Sequence, residues 1–247
     1  MDDEYLIKIF LTPLHKCRSY KPTFGQAKGT GLSLSDFQEL YGADPFYSWL
    51  GLDNSIVYSA HKAAGGLTSV YRQLGIGSEK LFRAIVGSRL NLDEEQMKWN
   101  YEYMKPNNSY GIHTLDARIS CSDLTERDSE RLHQWLQKTR KILNPTGKLI
   151  SPLNGVVFEV RQGYKSADSK RQNADLRFGI RAYQENLLPA LVIFSAQVSD
   201  PVAQRYRKDG MLILTGTLSQ DPSRSTFAFF KEIIGYDLAS FLREILQ

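Results

Sequence analysis

Residues 158–183, FEVRQGYKSADSKRQNADLRFGIRAY, place one carboxylate in an apolar run and follow it with a dense series of cations. From Arg161 to Arg181 there are six Lys or Arg against two Asp, whereas the whole 247-residue chain carries a formal charge of only +4. An anionic partner fits such a stretch, and the mild overall basicity is compatible with nucleic acid. Strand alternation puts Val156, Phe158 and Val160 on one face and Val157, Glu159 and Arg161 on the other. A carboxylate on a buried face is costly unless it is paired or holds a cation. Glu159 therefore either pairs with Arg161, or with an arginine of a neighbouring strand, or binds a metal ion.

The segment after it has helical spacing, from about Ser169 to Asn186. At 3.6 residues per turn, Leu176, Ile180, Tyr183 and Leu187 form the stripe expected to pack on a sheet. Asp168, Gln172, Asp175 and Gly179 flank it on one side, and Lys170, Asn173, Arg177 and Arg181 on the other. Sorted flanks let one helix offer carboxylates to a metal beside Glu159 and cations, Arg171 among them, to phosphates. A second acid comes from SYGIHTLDARIS, read as one strand in which Ile112, Thr114, Asp116 and Arg118 share a face. Within that strand Asp116 can pair with Arg118.

Other chemistries lack their residues. There is no HExxH and no CxxC, and His15, His61, His113 and His133 are scattered, which argues against zinc. GxSxG and GxGxxG are also absent. GQAKGTG, residues 25–31, matches a phosphate loop only loosely and reads as a loop. Cys17 and Cys121 read as reduced thiols. The N-terminus has neither the basic start nor the cleavage site of a signal peptide, and no run approaches a membrane span, so a cytoplasmic location without membrane association is expected.

These residues need elements to position them. Ser35 is expected to cap a short helix. LTSVYRQLGIGSEKLFRAIVGSRL, residues 67–90, reads as two helices joined at Gly75-Ile76-Gly77, an αα-hairpin or a helix-turn-helix. In the second case Ser78 and Arg83 would face DNA. Residues 91–110 read as loop and domain boundary, and a helix is expected to end near Leu143. VVFEVR, LVIFSAQV and MLILTGTL then read as strands, the first two separated by the basic helix, and a last helix from Phe227 to Leu246 is kinked at Gly235. The sum is an α/β (α+β) chain: a largely helical N-terminal region, 1–105, and a core, 106–247, with a mixed central sheet flanked by helices.

FEVRQGYKSADSKRQNAD, followed by a helix and by LLPALVIFS, resembles the core of the PD-(D/E)XK nucleases, in particular type II restriction endonucleases. The resemblance implies a restriction-endonuclease-like fold, Mg²⁺ held by Asp116 and Glu159 with Asp175 as a further ligand, and hydrolysis of double-stranded DNA at a specific sequence by a homodimer. It departs from the family where the lysine two residues after the strand acid should stand: Arg161 occupies that place. Arginine stays protonated, so it can clamp a phosphate but cannot take a proton. Lys165 or Lys170 would then supply a migrated lysine. The rival expectation is a DNA-binding regulator that uses 67–90 as a helix-turn-helix and does not cleave.

Overall fold

The computed structural model describes residues 2–25, 31–105, 107–143, 152–164 and 169–244, without the side chains of 169–174. The chain divides into two compact units, Lys8–Gly77 and Met1–Ile7 with Ser78–Gln247. Helices α1 (Asp3–Leu11) and α4 (Ser55–Leu90) both run through the division.

The smaller unit is helical, with a 3₁₀ segment at Thr12–Ser19 and helices α2 (Leu34–Gly42) and α3 (Pro45–Trp49). Its core is a ring cluster in which Phe37 meets Phe24 at 4.5 Å and Tyr58 at 5.6 Å between centroids. The cap of α2 is Ser33 rather than Ser35: its hydroxyl accepts from the Asp36 N–H, and Asp36 accepts from the Ser33 N–H. The phosphate-loop-like residues 26–30 lie outside the described part.

The expected break at Gly75-Ile76-Gly77 does not occur, because α4 is one continuous helix. Gly77 serves a close approach instead of a turn: a Cβ there would run into the Phe10 carbonyl. No helix-turn-helix exists at 67–90, and Ser78, expected to face DNA, is 2% exposed.

In the larger unit, α5 (Glu94–Met97) leads to an antiparallel hairpin of β1 (Asn100–Met104) and β2 (Tyr110–Thr114), which straddles residues 105 and 106 where the sequence suggested a division. The strand expected through residues 109–120 is two strands. The chain leaves the hairpin at Leu115-Asp116 and enters the central sheet as β3 (Ala117–Ser120). Helix α6 (Glu126–Leu143) then returns the chain to β4 (Gly155–Arg161). After it come α7 (Ser169–Gln184), β5 (Leu187–Ile193), α8 (Asp200–Lys208) and β6 (Leu212–Leu214). The sheet order is β3-β4-β5-β6, antiparallel between β3 and β4 and parallel thereafter. A mixed central sheet flanked by helices is thus present, with helical crossovers joining its parallel strands.

Strand β5, LLPALVI, is buried at every residue, as expected of a parallel strand covered on both faces. Its Pro189 lies one residue before the β6 ladder begins at Ala190. On one face Val157, Leu191, Ile193 and Ile213 pack with Phe178, Ala182 and Tyr206. On the other, Phe158 meets Phe82 at 5.0 Å and Phe229 at 5.6 Å. The last expected helix is broken: α9 (Thr226–Phe229) passes into a π turn at Phe230–Ile234, Gly235 takes φ 79°, and α10 (Leu238–Glu244) follows. Among the described residues no helix is long and apolar enough to cross a membrane.

The packing face of α7 keeps part of the expected stripe, since Leu176 and Leu187 pack with the core, but it is centred on other residues. Asp175, Phe178, Gly179 and Ala182 are buried, while Ile180 is 63% exposed. Gly179 lets Met211 approach, its sulfur 3.2 Å from where a Cβ would stand. Because Phe158 is wholly buried between helices of the second face, Phe158→Ala should cost about 3–5 kcal/mol of unfolding free energy, measurable by urea denaturation.

Candidate functional site

The site is built where β3 and β4 meet. Asp116 directly precedes Ala117, the residue of β3 that opposes Phe158, and it lies near enough to Glu159 for the two charges to interact. Three bonds fix Asp116 there: its N–H donates to the Phe158 carbonyl at 3.1 Å, its Oδ2 accepts the Val160 N–H at 2.6 Å, and its carbonyl accepts Arg83 Nη1 at 2.9 Å. Arg83, expected to read DNA, is thus a clip on the Asp116 backbone. The alternative pairing of Asp116 with Arg118 does not form. Arg118 bonds Asp123 at 3.1 Å and the Gln96 carbonyl at 3.1 Å.

Burial pushes Asp116 up to about 8, and the nearby Glu159 charge adds to the shift; the Val160 N–H opposes it. Burial also raises Glu159, helped by Asp175, while Arg161 and His113 favour its charged form. The two carboxylates thus raise the cost of ionising together.

Arg161 points into the protein rather than toward a substrate. Its side chain is 5% exposed, and Nη2 donates to Asp175 Oδ1 at 2.6 Å and to Glu159 Oε1 at 3.3 Å. Burial works against its charge, but Asp175 and Glu159 outweigh that, so it stays protonated. The guanidinium lies 4.9 Å from the Tyr164 ring centre. Asp175 Oδ2 accepts the Tyr206 hydroxyl at 2.5 Å, and the Tyr206 hydroxyl is 2.8 Å from that of Tyr164. Both Asp175 oxygens are therefore engaged by the protein. This corrects two expectations: Asp175 does not present a free carboxylate to a metal, and Arg161 does not present a guanidinium to a phosphate. The physical reason is that each neutralises the other in a place with little water.

Arg177 and Arg181 are exposed on α7, with Arg181 Nη1 3.1 Å from Gln184 Oε1. Lys165 and the side chains of Lys170, Arg171 and Asn173 lie outside the described part. Three residues near the site escaped the sequence reading. Tyr206 stands on α8, whose start was signalled by Ser199-Asp200-Pro201 and whose buried side repeats at Val202, Ala203 and Tyr206. Tyr101 and His113 are opposed on the hairpin, with His113 Nδ1 3.1 Å from the Tyr101 hydroxyl. Their place beside Glu159 follows from the chain's bend at Leu115-Asp116, for which no local sequence signal was recognised.

No family model, curated sequence or solved structure matches the chain.

The donor set can be tested against Mg²⁺. Among the described residues no group of three or more His, Cys, Asp or Glu is placed to hold a metal ion. Two carboxylates, Asp116 and Glu159, remain, and Mg²⁺ is ordinarily bound by one or two carboxylates with water and substrate phosphates completing the shell. Both are hard oxygen donors of the kind that ion takes, and one Glu159 oxygen also accepts from Arg161 at 3.3 Å.

The raised Asp116 value makes a pH prediction for the metal-free protein. The unfolded side chain ionises near 3.8 and the folded one near 8, so the native state holds the extra proton between these values. Stability contributed by this group is complete below 3.8 and is lost as pH rises toward 8. Urea midpoints measured across that range should fall with pH, and Asp116→Asn should flatten the fall.

Proposed function

We propose that this chain is a Mg²⁺-dependent endonuclease that hydrolyses phosphodiester bonds of double-stranded DNA at a specific sequence, of the type II restriction endonuclease kind within the PD-(D/E)XK nucleases. The observation that carries the reading is that Asp116 is bonded to β4 on either side of Glu159, at the Phe158 carbonyl and the Val160 N–H, and lies within electrostatic reach of the Glu159 carboxylate. It is supported by where that pair lies, since Glu159 is near the carboxyl end of β4, and in open α/β sheets ligands bind outside the carboxyl ends of the parallel strands.

Asp116 and Glu159 would hold the ion. When bound, Mg²⁺ supplies Lewis acidity toward a phosphate and acidifies water within its reach. The chain's residues do the rest. The Val160 N–H and Arg83 fix the Asp116 carboxylate and its backbone, and Arg177 and Arg181 offer charge to the phosphate backbone. Arg161 keeps its proton, so proton transfer falls to other groups, with Lys165 and Lys170 the lysines next in the chain. A double-strand cut at a symmetric site most simply takes two copies of the chain, and an intracellular, cytoplasmic setting is part of the reading. The rival, a regulator with a helix-turn-helix at 67–90, loses its motif to the unbroken α4.

Purified protein incubated with unmethylated plasmid or phage DNA, with and without Mg²⁺, tests the proposal: discrete fragments should appear only with the ion. Glu159→Gln and Asp116→Asn should each lower cleavage by orders of magnitude while DNA binding persists, and undiminished cutting by either would reject the site. In a separate binding measurement, Arg177→Ala and Arg181→Ala should each reduce the slope of log K against log salt by about one unit. Unchanged slopes would make that side of α7 solvated surface only.

A further inference from the structure

The arrangement around Arg161 assigns a role that neither the carboxylates nor the guanidinium shows alone, and it rests on the reading of Asp116 and Glu159 as a cation site. Arg161 and Glu159 lie two residues apart on one face of β4, so they are natural partners along the strand. Yet the short bond from Arg161 goes elsewhere: Nη2 reaches Asp175 at 2.6 Å and Glu159 only at 3.3 Å. Among the described residues the buried Nε and Nη1 groups of Arg161 have no hydrogen-bond partner. A buried guanidinium with unpaired N–H groups gains by closing a two-pronged pair with a carboxylate. Glu159, with 19% of its side chain exposed, is in contact and would accept that pair.

What restrains the guanidinium is Asp175. Its carboxylate, 4% exposed, is fixed from both sides, by Arg161 at Oδ1 and by the Tyr206 hydroxyl at Oδ2. Since Tyr206 gives its proton to Asp175, the Tyr164 hydroxyl donates to Tyr206, and the same Tyr164 ring covers the guanidinium. Two tyrosines therefore brace the one acid that competes with Glu159 for Arg161. We propose that Asp175 is a positioning residue that draws Arg161 toward itself and limits its pairing with Glu159 to one 3.3 Å bond from a shared nitrogen, leaving the rest of the Glu159 carboxylate available to share a divalent cation with Asp116. The protein would otherwise neutralise its own cation ligand.

The test is Mn²⁺ binding without DNA, measured by calorimetry or by the loss of the free-ion electron paramagnetic resonance signal. The wild type should bind the ion, and Asp116→Asn and Glu159→Gln should lose it. Asp175→Asn frees Arg161 for Glu159 and should weaken binding by about 10–100-fold, the usual effect of losing a partner that orients a ligand. Adding Arg161→Gln to Asp175→Asn removes the competing guanidinium and should restore binding to the wild-type level or beyond. That double variant removes Arg161 and its short-bonded partner together, so no buried guanidinium is left without Asp175, and it decides the question even where Asp175→Asn alone fails to fold. Unchanged binding by Asp175→Asn overturns the proposal, and so does a double variant that binds poorly, because Asp175 would then be a ligand itself. A wild type that does not bind Mn²⁺, or Glu159→Gln that binds it equally well, overturns the cation site and this inference with it.

Discussion

Two carboxylates, Glu159 and Asp175, share one buried guanidinium beside β4 while a third, Asp116, lies within its electrostatic reach, and much of the larger unit is arranged around that imbalance. Asp116, Glu159 and Asp175 bring three potential negative charges into a region of low exposure, and Arg161 brings one positive charge. Charges so placed are tolerable only when paired, protonated or bound to a cation. The structure uses the first remedy for Asp175 and, in part, for Glu159. For Asp116 it uses the second, holding the carboxyl protonated to about 8. A bound cation, as in the proposed function, would be the third remedy.

The sheet keeps this arrangement from collapsing into a simple ion-pair network. On the far face of β4, Phe158 is packed among Phe82, Phe229 and the rest of an aromatic cluster, which fixes the register of the strand. A slip of one residue would exchange Phe158 with Glu159 and place a carboxylate in that cluster. The antiparallel ladder to β3 brings Asp116 against residues 158–160 of β4, and the crossover from β4 to β5 runs through α7, which delivers Asp175. Packing on one face therefore specifies polar geometry on the other. The raised ionisation of Asp116 is the energetic trace of that specification.

How much of this was legible depended on whether the signal was local. Strand β4 and its alternation, helix α7 and the buried run of β5 could be read from residues within a few positions of one another. Asp116 and Glu159 were recognisable as candidates from residue type and flanking pattern. Long-range contacts decided the misreadings. Gly75 and Gly77 look like a turn, but the latter accommodates the Phe10 backbone within a continuous helix. In α7 the stripe of Leu176, Ile180 and Tyr183 looked like the packing face because it is apolar. The face that packs contains Asp175, whose charge is matched by a residue from β4 and a hydroxyl from α8. A periodicity argument counts Asp175 as polar, whereas in the fold it behaves as part of the core.

The presence of arginine rather than lysine after the strand acid gains its meaning from the same contacts. A lysine ammonium is a compact, strongly hydrated point charge, and at this buried position it would give up its proton more readily. A guanidinium is planar and less hydrated, so it can lie 4.9 Å from the Tyr164 ring centre while one nitrogen bridges two carboxylates. The tyrosines and Asp175 suit that shape, and none of them would be satisfied by a point charge in the same way. Arg161 is therefore best understood as a fixed counter-charge whose distance from Glu159 matters more than its own reactivity. On the nuclease reading, the proton acceptor then comes from outside β4, since Arg161 holds its charge rather than transferring a proton.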